Sequence, residues 1–198
     1  MSEHEIKKHL AMNELAEPNG IIIIGGTEDR EIPLCELKQA FELNSNLYNR
    51  SITNLSINSA VEVYDSCVAG LNPDCILLHI GDADLDFFTA DPTAFAQKYR
   101  ELIKHIKSLD KKCNVVIISL KNPQNLDNIT ELNKHLKYIA ESERCEFEDI
   151  ATKRVWNPKE TKDIVSFLYS TGFVRPLHSQ RSVYDLVKIL FCSTPLPA

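Results

Sequence analysis

A hydroxyl, Thr27, follows four isoleucines and two glycines in the stretch IIIIGGTEDREI, residues 21–32. The isoleucines read as a buried strand, and open α/β sheets place their ligands at the mouths of such strands. Thr27 is therefore a candidate nucleophile, helix cap or ligand contact. Acids crowd the same region: Glu28 and Asp29 directly behind it, and Asp82, Asp84 and Asp86 after a second strand-like run, CILLHIG. A carboxylate there could orient a histidine for general-base work. At Glu28, Asp29 and Glu31 the simpler expectation is that the acids load the N-terminus of the next helix. GDADLD resembles the start of a calcium loop, but the glycine and glutamate that such a loop needs further on are Phe87 and Thr93. It reads as a solvated turn, and no metal is expected.

The other reactive residue types are more weakly placed. His79 lies within a strand-like run and reads as a satisfied core residue, while His105 and His135 ride on helical stretches and read as surface. Six cysteines are scattered without a CxxC pair and read as reduced thiols packed as small hydrophobes. GGTEDRE has neither the GxGxxG spacing nor the GK[ST] of a phosphate loop, so no nucleotide cofactor is expected. Trp156 reads as packing.

The elements that must position these residues alternate along the chain. Strand-like segments begin at Ile21, near 47–52, at CILLHIG, at NVVIISL and at CEFEDI. Between them lie helical stretches over 34–43 and 59–69. A longer amphipathic helix carries Phe95, Tyr99, Leu102, Ile103, Ile106 and Leu109, and another carries Ile129, Leu132, Leu136 and Ile139 on one face. Two more helical stretches, 161–169 and 182–190, follow. The pattern predicts an α/β fold, a three-layer α/β/α sandwich around a five-stranded parallel sheet with right-handed crossovers. An extra N-terminal helix is expected within residues 1–17.

With 198 residues and ordinary apolar and charged fractions, residues 1–198 are expected to form a single domain. The net charge of -6 argues against a nucleic-acid backbone or an anionic membrane surface as partner. No apolar run approaches a membrane span and the N-terminus MSEHEIKKHL does not read as a signal peptide, so a cytoplasmic protein is expected. The partner expected is a small molecule; the oligomeric state is left open.

Several segments, in order, resemble the blocks of the SGNH, or GDSL-type, hydrolase family. IIIIGGTED resembles its first block, an apolar strand ending in Gly-Asp-Ser. LYNRSITNLS is similar to the second, Asn-Arg-Gly-Ile-x-Gly-Asp-Thr, and NPDCILLHIGDADL to the third, which ends in Gly-x-Asn-Asp. VRPLHSQRSVYDL is similar to the fifth, Asp-x-x-His-x-Ser followed by Gly-Tyr. The resemblance runs from about Ile21 to Cys192 and implies a flavodoxin-like SGNH-hydrolase fold.

It also implies roles. The nucleophilic serine falls on Thr27, the aspartate before it on Gly26, the second-block glycine on Asn54 and the third-block asparagine on Ala83, followed by Asp84. The base falls on His178, and its orienting aspartate on Arg175. The resemblance thus implies Thr27 and His178 as the catalytic pair, with Asn54, Asp82, Asp84 and Arg175 as oxyanion or ligand-pocket residues. The serine, glycine, asparagine and orienting-aspartate positions are all changed, as is the aspartate before the serine. An internal threonine is a crowded nucleophile, and Arg175 opposes imidazolium formation if it faces the ring. The expectation is an esterase-like protein whose hydrolytic activity is lost or strongly modified and whose small-ligand pocket is kept. The alternative is an active acyl-ester hydrolase using Thr27 and His178, with a nearby carboxylate in place of the missing acid.

Overall fold

A computed structural model describes residues 3–40, 45–121 and 126–150 of the chain. The helical stretches expected over 161–169 and 182–190, Trp156, and the fifth-block residues Arg175 and His178 lie outside the described residues. Five strands form one all-parallel sheet: β1 (Ile21–Gly25), β2 (Leu47–Asn49), β3 (Cys75–His79), β4 (Asn114–Ile118) and β5 (Glu146–Glu148). Their order is β2-β1-β3-β4-β5. The helices are α1 (Glu3–Asn13), α2 (Leu34–Ala40), α3 (Ile57–Cys67), α4 (Leu85–Ala90), α5 (Pro92–Leu109) and α6 (Leu126–Ser142). This is the α/β arrangement expected, a five-stranded parallel sheet flanked by helices.

The isoleucine run is buried because β1 has a neighbour on each side and both of its faces are covered. Ile21 pairs with Leu47 and with Cys75, and Cys75 with Asn114. Ile22, Ile24, Ile76, Leu78, Val115 and Ile117 share the main core with α3, α5 and α6. Ile23, Leu77 and Val116 alternate to the other face and are equally buried. Each such side chain contributes about 1.5–3 kcal/mol by leaving water.

Helix α5 follows its sequence stripe except at its last residue. Phe95, Tyr99, Leu102, Ile103 and Ile106 are buried, whereas Leu109 is 58% exposed where the helix ends. Asp91 starts the helix by accepting the Ala94 N–H at 2.9 Å, with Pro92 in the first turn. Two elements are bounded differently from the sequence reading, and one helix is additional to it. Helix α3 begins at Ile57 rather than 59, and β2 stops at Asn49. Helix α4 was not anticipated, because LDFFTA is too short to show a period. It forms because Phe88 packs edge-on against Phe95, with ring centroids 5.5 Å apart.

Strand order reverses between β1 and β3: the chain leaves β1 for β2 on one side and crosses back to β3 on the other. Loops diverge at such a switch point and leave a crevice at the carboxyl ends of the strands. Gly25 and His79 pair there, so the turns beginning at Gly26 and Ile80 face the same opening.

Candidate functional site

The turn after β1 is built around an inward-facing acid. Asp29 is 5% exposed, and its Oδ2 accepts the Gly26 N–H at 2.8 Å. Its Oδ1 accepts from His79 Nδ1 at 2.8 Å, and its backbone carbonyl accepts from Asn49 Nδ2 at 2.7 Å. One residue thus ties the mouths of β1, β2 and β3 together. The double glycine follows in part from this arrangement. A Cβ on Gly25 would stand 2.0 Å from Asp29 Oδ2, while one on Gly26 would meet nothing within 4 Å.

This corrects the expectation that Asp29 simply loads a helix N-terminus. His79 is paired as its strand position suggested, but it is half-buried rather than a core residue, and it lines the cleft. Burial alone would lower its pKa. The charge and hydrogen bond of Asp29, with help from the Ser119 backbone, outweigh burial and raise it. The pair was missed because the two residues are 50 positions apart. The signal that could have found it is the expected adjacency of the first and third strands, which puts an acid and a histidine at one mouth.

Thr27 precedes the short 3-10 turn Glu28–Glu31 but does not cap it with its side chain. Its backbone is already helical, at φ -59 and ψ -43, whereas a capping side chain needs an extended residue to reach back to the amides. The hydroxyl turns across the cleft instead. Thr27 Oγ1 donates to Asn54 Oδ1 at 3.1 Å and accepts the Asn54 N–H at 3.0 Å. Asn54 holds a left-handed backbone, φ +50, at the position where the resemblance expects glycine. Asparagine is the residue that best tolerates that geometry without being glycine.

The third loop begins at Gly81, whose φ of +136 excludes a side chain and whose would-be Cβ presses Leu120 at 3.0 Å. Asp82 and Ala83 line the cleft beyond it, and Ala83 offers no side-chain donor. Asp84 turns away. It is 2% exposed and is not among the lining residues; its Oδ2 accepts the Ile57 N–H at 2.9 Å, securing the first turn of α3. Ser56, just before that helix, makes no side-chain cap, so Asp84 performs that task from a distant loop. Burial pushes its pKa up to about 6, against the opposing pull of the Ile57 hydrogen bond.

Thr27, Asn54, His79, Asp82, Ala83 and Lys121 therefore surround one shallow cleft of about 70 Å3. Of the residues singled out in the sequence, Thr27, Glu28, Asp29, Asn54, His79, Asp82 and Ala83 converge on it, and Asp84 serves a helix end. Among the described residues no helix is long and apolar enough to cross a membrane.

No family model matches the chain, and no curated protein matches its sequence. Solved structures do match. A candidate platelet activating factor of Streptococcus pneumoniae superposes with a TM-score of 0.66 at 18% identity, over 79% of this chain and 78% of that one. A candidate acylhydrolase of Bacteroides fragilis gives 0.62 at 16% identity, over 87% and 97%. A GDSL-like lipase of Bacteroides thetaiotaomicron gives 0.57 at 15% identity, over 87% and 98%. At such identities the likeness speaks for the fold and not for the reaction. With the strand order 2-1-3-4-5 and a cleft at the switch between its first and third strands, the chain has the SGNH, or GDSL-type, hydrolase fold.

Proposed function

We propose that the protein is an esterase-like binding module: it has lost acyl-ester turnover and uses the cleft at Thr27 to hold a small ligand. The observation that carries this reading is the reciprocal pair between Thr27 and Asn54. A nucleophilic hydroxyl must donate its proton to a base, whereas this one donates to an amide oxygen of negligible basicity. The same pair engages the Asn54 amide, the group the resemblance assigns to the oxyanion hole. Ala83 removes a further donor, an effect of about 10²–10³ in a serine protease. Arg175 takes the place of the acid that would orient His178, and loss of that acid costs about 10⁴ in the corresponding triad. These penalties are not additive, yet together they leave little of the standard mechanism.

One observation favours the active alternative: Asn54 retains the left-handed backbone and keeps one amide aimed at position 27. Hydrolysis of a short-chain chromogenic acyl ester by wild type, Thr27→Ala and His178→Ala separates the two. We expect wild-type rates at the buffer background and no effect of either substitution. Turnover abolished by both would replace the binding reading with an active threonine esterase.

A further inference from the structure

A second cavity, of about 400 Å3, opens between α1 and the β2 edge of the sheet and shares no lining residue with the cleft at Thr27. Arg50 lines it, although the residue is only 3% exposed. Its Nε and Nη2 donate to Asn13 Oδ1 at 2.8 and 2.6 Å, and its Nη1 donates to the Asn49 carbonyl at 2.9 Å. The guanidinium also stands 5.4 Å from the centre of the Tyr48 ring. All of these partners are neutral. The nearby carboxylate of Glu5 is engaged elsewhere, with Arg30 at 2.9 Å and the Thr53 hydroxyl at 2.7 Å. Among the described residues no carboxylate forms an ion pair with Arg50.

A buried cation without a counter-charge is costly, and native folds seldom retain one without compensation. The same wall carries two further uncompensated groups. Ser51 Oγ and His9 Nδ1 are buried without a hydrogen-bond partner, and His9 is turned by the bond from its Nε2 to the Ser51 carbonyl at 3.1 Å. Guanidinium N–H groups left over from three hydrogen bonds, together with a serine hydroxyl, form a donor set suited to a carboxylate. Met12, Ile32, Leu34 and Leu47 supply an apolar wall beside it.

From this juxtaposition we infer a second binding site, in which Arg50 and Ser51 take the carboxylate of a small organic monoacid and the apolar wall takes its short chain. The volume lies within the range usual for small-molecule sites. The charge selects the class. The other charged side chains around the cavity, Lys8 and Arg30 against Glu5 and Glu31, balance, so Arg50 leaves a single positive charge to be met. A phosphate dianion would overshoot it, and an uncharged alcohol would leave it unmet.

Calorimetric titration of the full chain with hexanoate, hexanol and inorganic phosphate tests the inference. Hexanoate is expected to bind, and the other two at least about tenfold more weakly, the scale of one charge-assisted contact. Arg50→Gln should weaken hexanoate at least tenfold. If that variant does not fold, Met12→Asp, at a position already 36% exposed, should weaken it by repulsion without disturbing the core. Thr27→Ala should leave hexanoate binding unchanged, which separates this site from the esterase-like cleft. The inference is overturned by absence of hexanoate binding, by phosphate or hexanol binding as well as hexanoate, or by loss of binding in Thr27→Ala. Full affinity retained in a folded Arg50→Gln, or in Met12→Asp, overturns it as well.

Discussion

Asp84 occupies a position that the resemblance assigns to the signature Gly-x-Asn-Asp, yet its carboxylate serves the amide of Ile57, 27 residues earlier in the chain. One acceptor bond does not offset the loss of water around a charge, so burial raises its pKa from 3.8 to about 6. The folded state therefore holds this proton more tightly than the unfolded chain does. The associated stability is fully present below about pH 4 and is lost as pH rises through about 6. At neutral pH the ionised group opposes folding. Asp84→Asn keeps an oxygen for the Ile57 N–H and removes the charge. We expect it to raise unfolding stability at pH 7.5 by about 1–3 kcal/mol, at roughly 1.4 kcal/mol per pKa unit less the lost attraction to the α3 N-terminus. Urea unfolding at pH 4, 5, 6 and 7.5 would check it. A variant less stable than wild type at pH 7.5, or one with the same pH slope, would mean that the charge is better solvated than its burial implies.

Element by element, the strands were legible and the turns were not. The isoleucine run, CILLHIG and NVVIISL announce buried parallel strands by continuous apolar character. The stripe on α6 carried through to the structure, with Ile129, Leu132, Leu136 and Ile139 all at or below 2% exposure. What those runs could not reveal is how Gly25-Gly26 is used, because that depends on a carboxylate folding back from Asp29. The two glycines look equivalent in sequence and are not equivalent in space. Gly25→Ala would drive a methyl group into Asp29 Oδ2 and, through it, disturb the bonds to Gly26 and His79. A loss of about 2–4 kcal/mol is expected, the range for disrupting a buried charged pair and crowding a packed site. Gly26→Ala meets open space at a backbone without positive φ and should change stability by less than about 1 kcal/mol, with either sign. Thermal unfolding of both variants side by side gives the comparison. Equal losses would show that Asp29 is not what requires the first glycine.

At the scale of the whole molecule, the site's location was legible while its internal wiring was not. Sequence order predicts five alternating strands, the resemblance implies that the first and third meet, and the strand order places the switch between β1 and β3. The Thr27–Asn54 exchange and the Asp29–His79 pair arise only when loops 27 and 50 residues apart meet. Within this fold the backbone at the cleft is nonetheless well defined: left-handed at Asn54, at a positive φ that favours glycine at Gly81, and with open space beside Gly26. If side chains rather than backbone silence the site, restoring them together should revive it. Thr27→Ser removes the methyl group that crowds attack, Ala83→Asn supplies an oxyanion donor, and Arg175→Asp puts an acid at the position that the resemblance gives to the residue orienting His178. Because such groups act as a unit, each single substitution should stay near the background. The triple variant should hydrolyse a chromogenic acetyl ester at least about 10²-fold faster than wild type, the scale of one restored donor. His178→Ala on top of the three should return the rate to background, which ties the gain to this site. A folded triple variant no faster than its parent would place the defect in the backbone frame, and with it the reading of Thr27, Ala83 and Arg175 as the positions that silenced an esterase would fail.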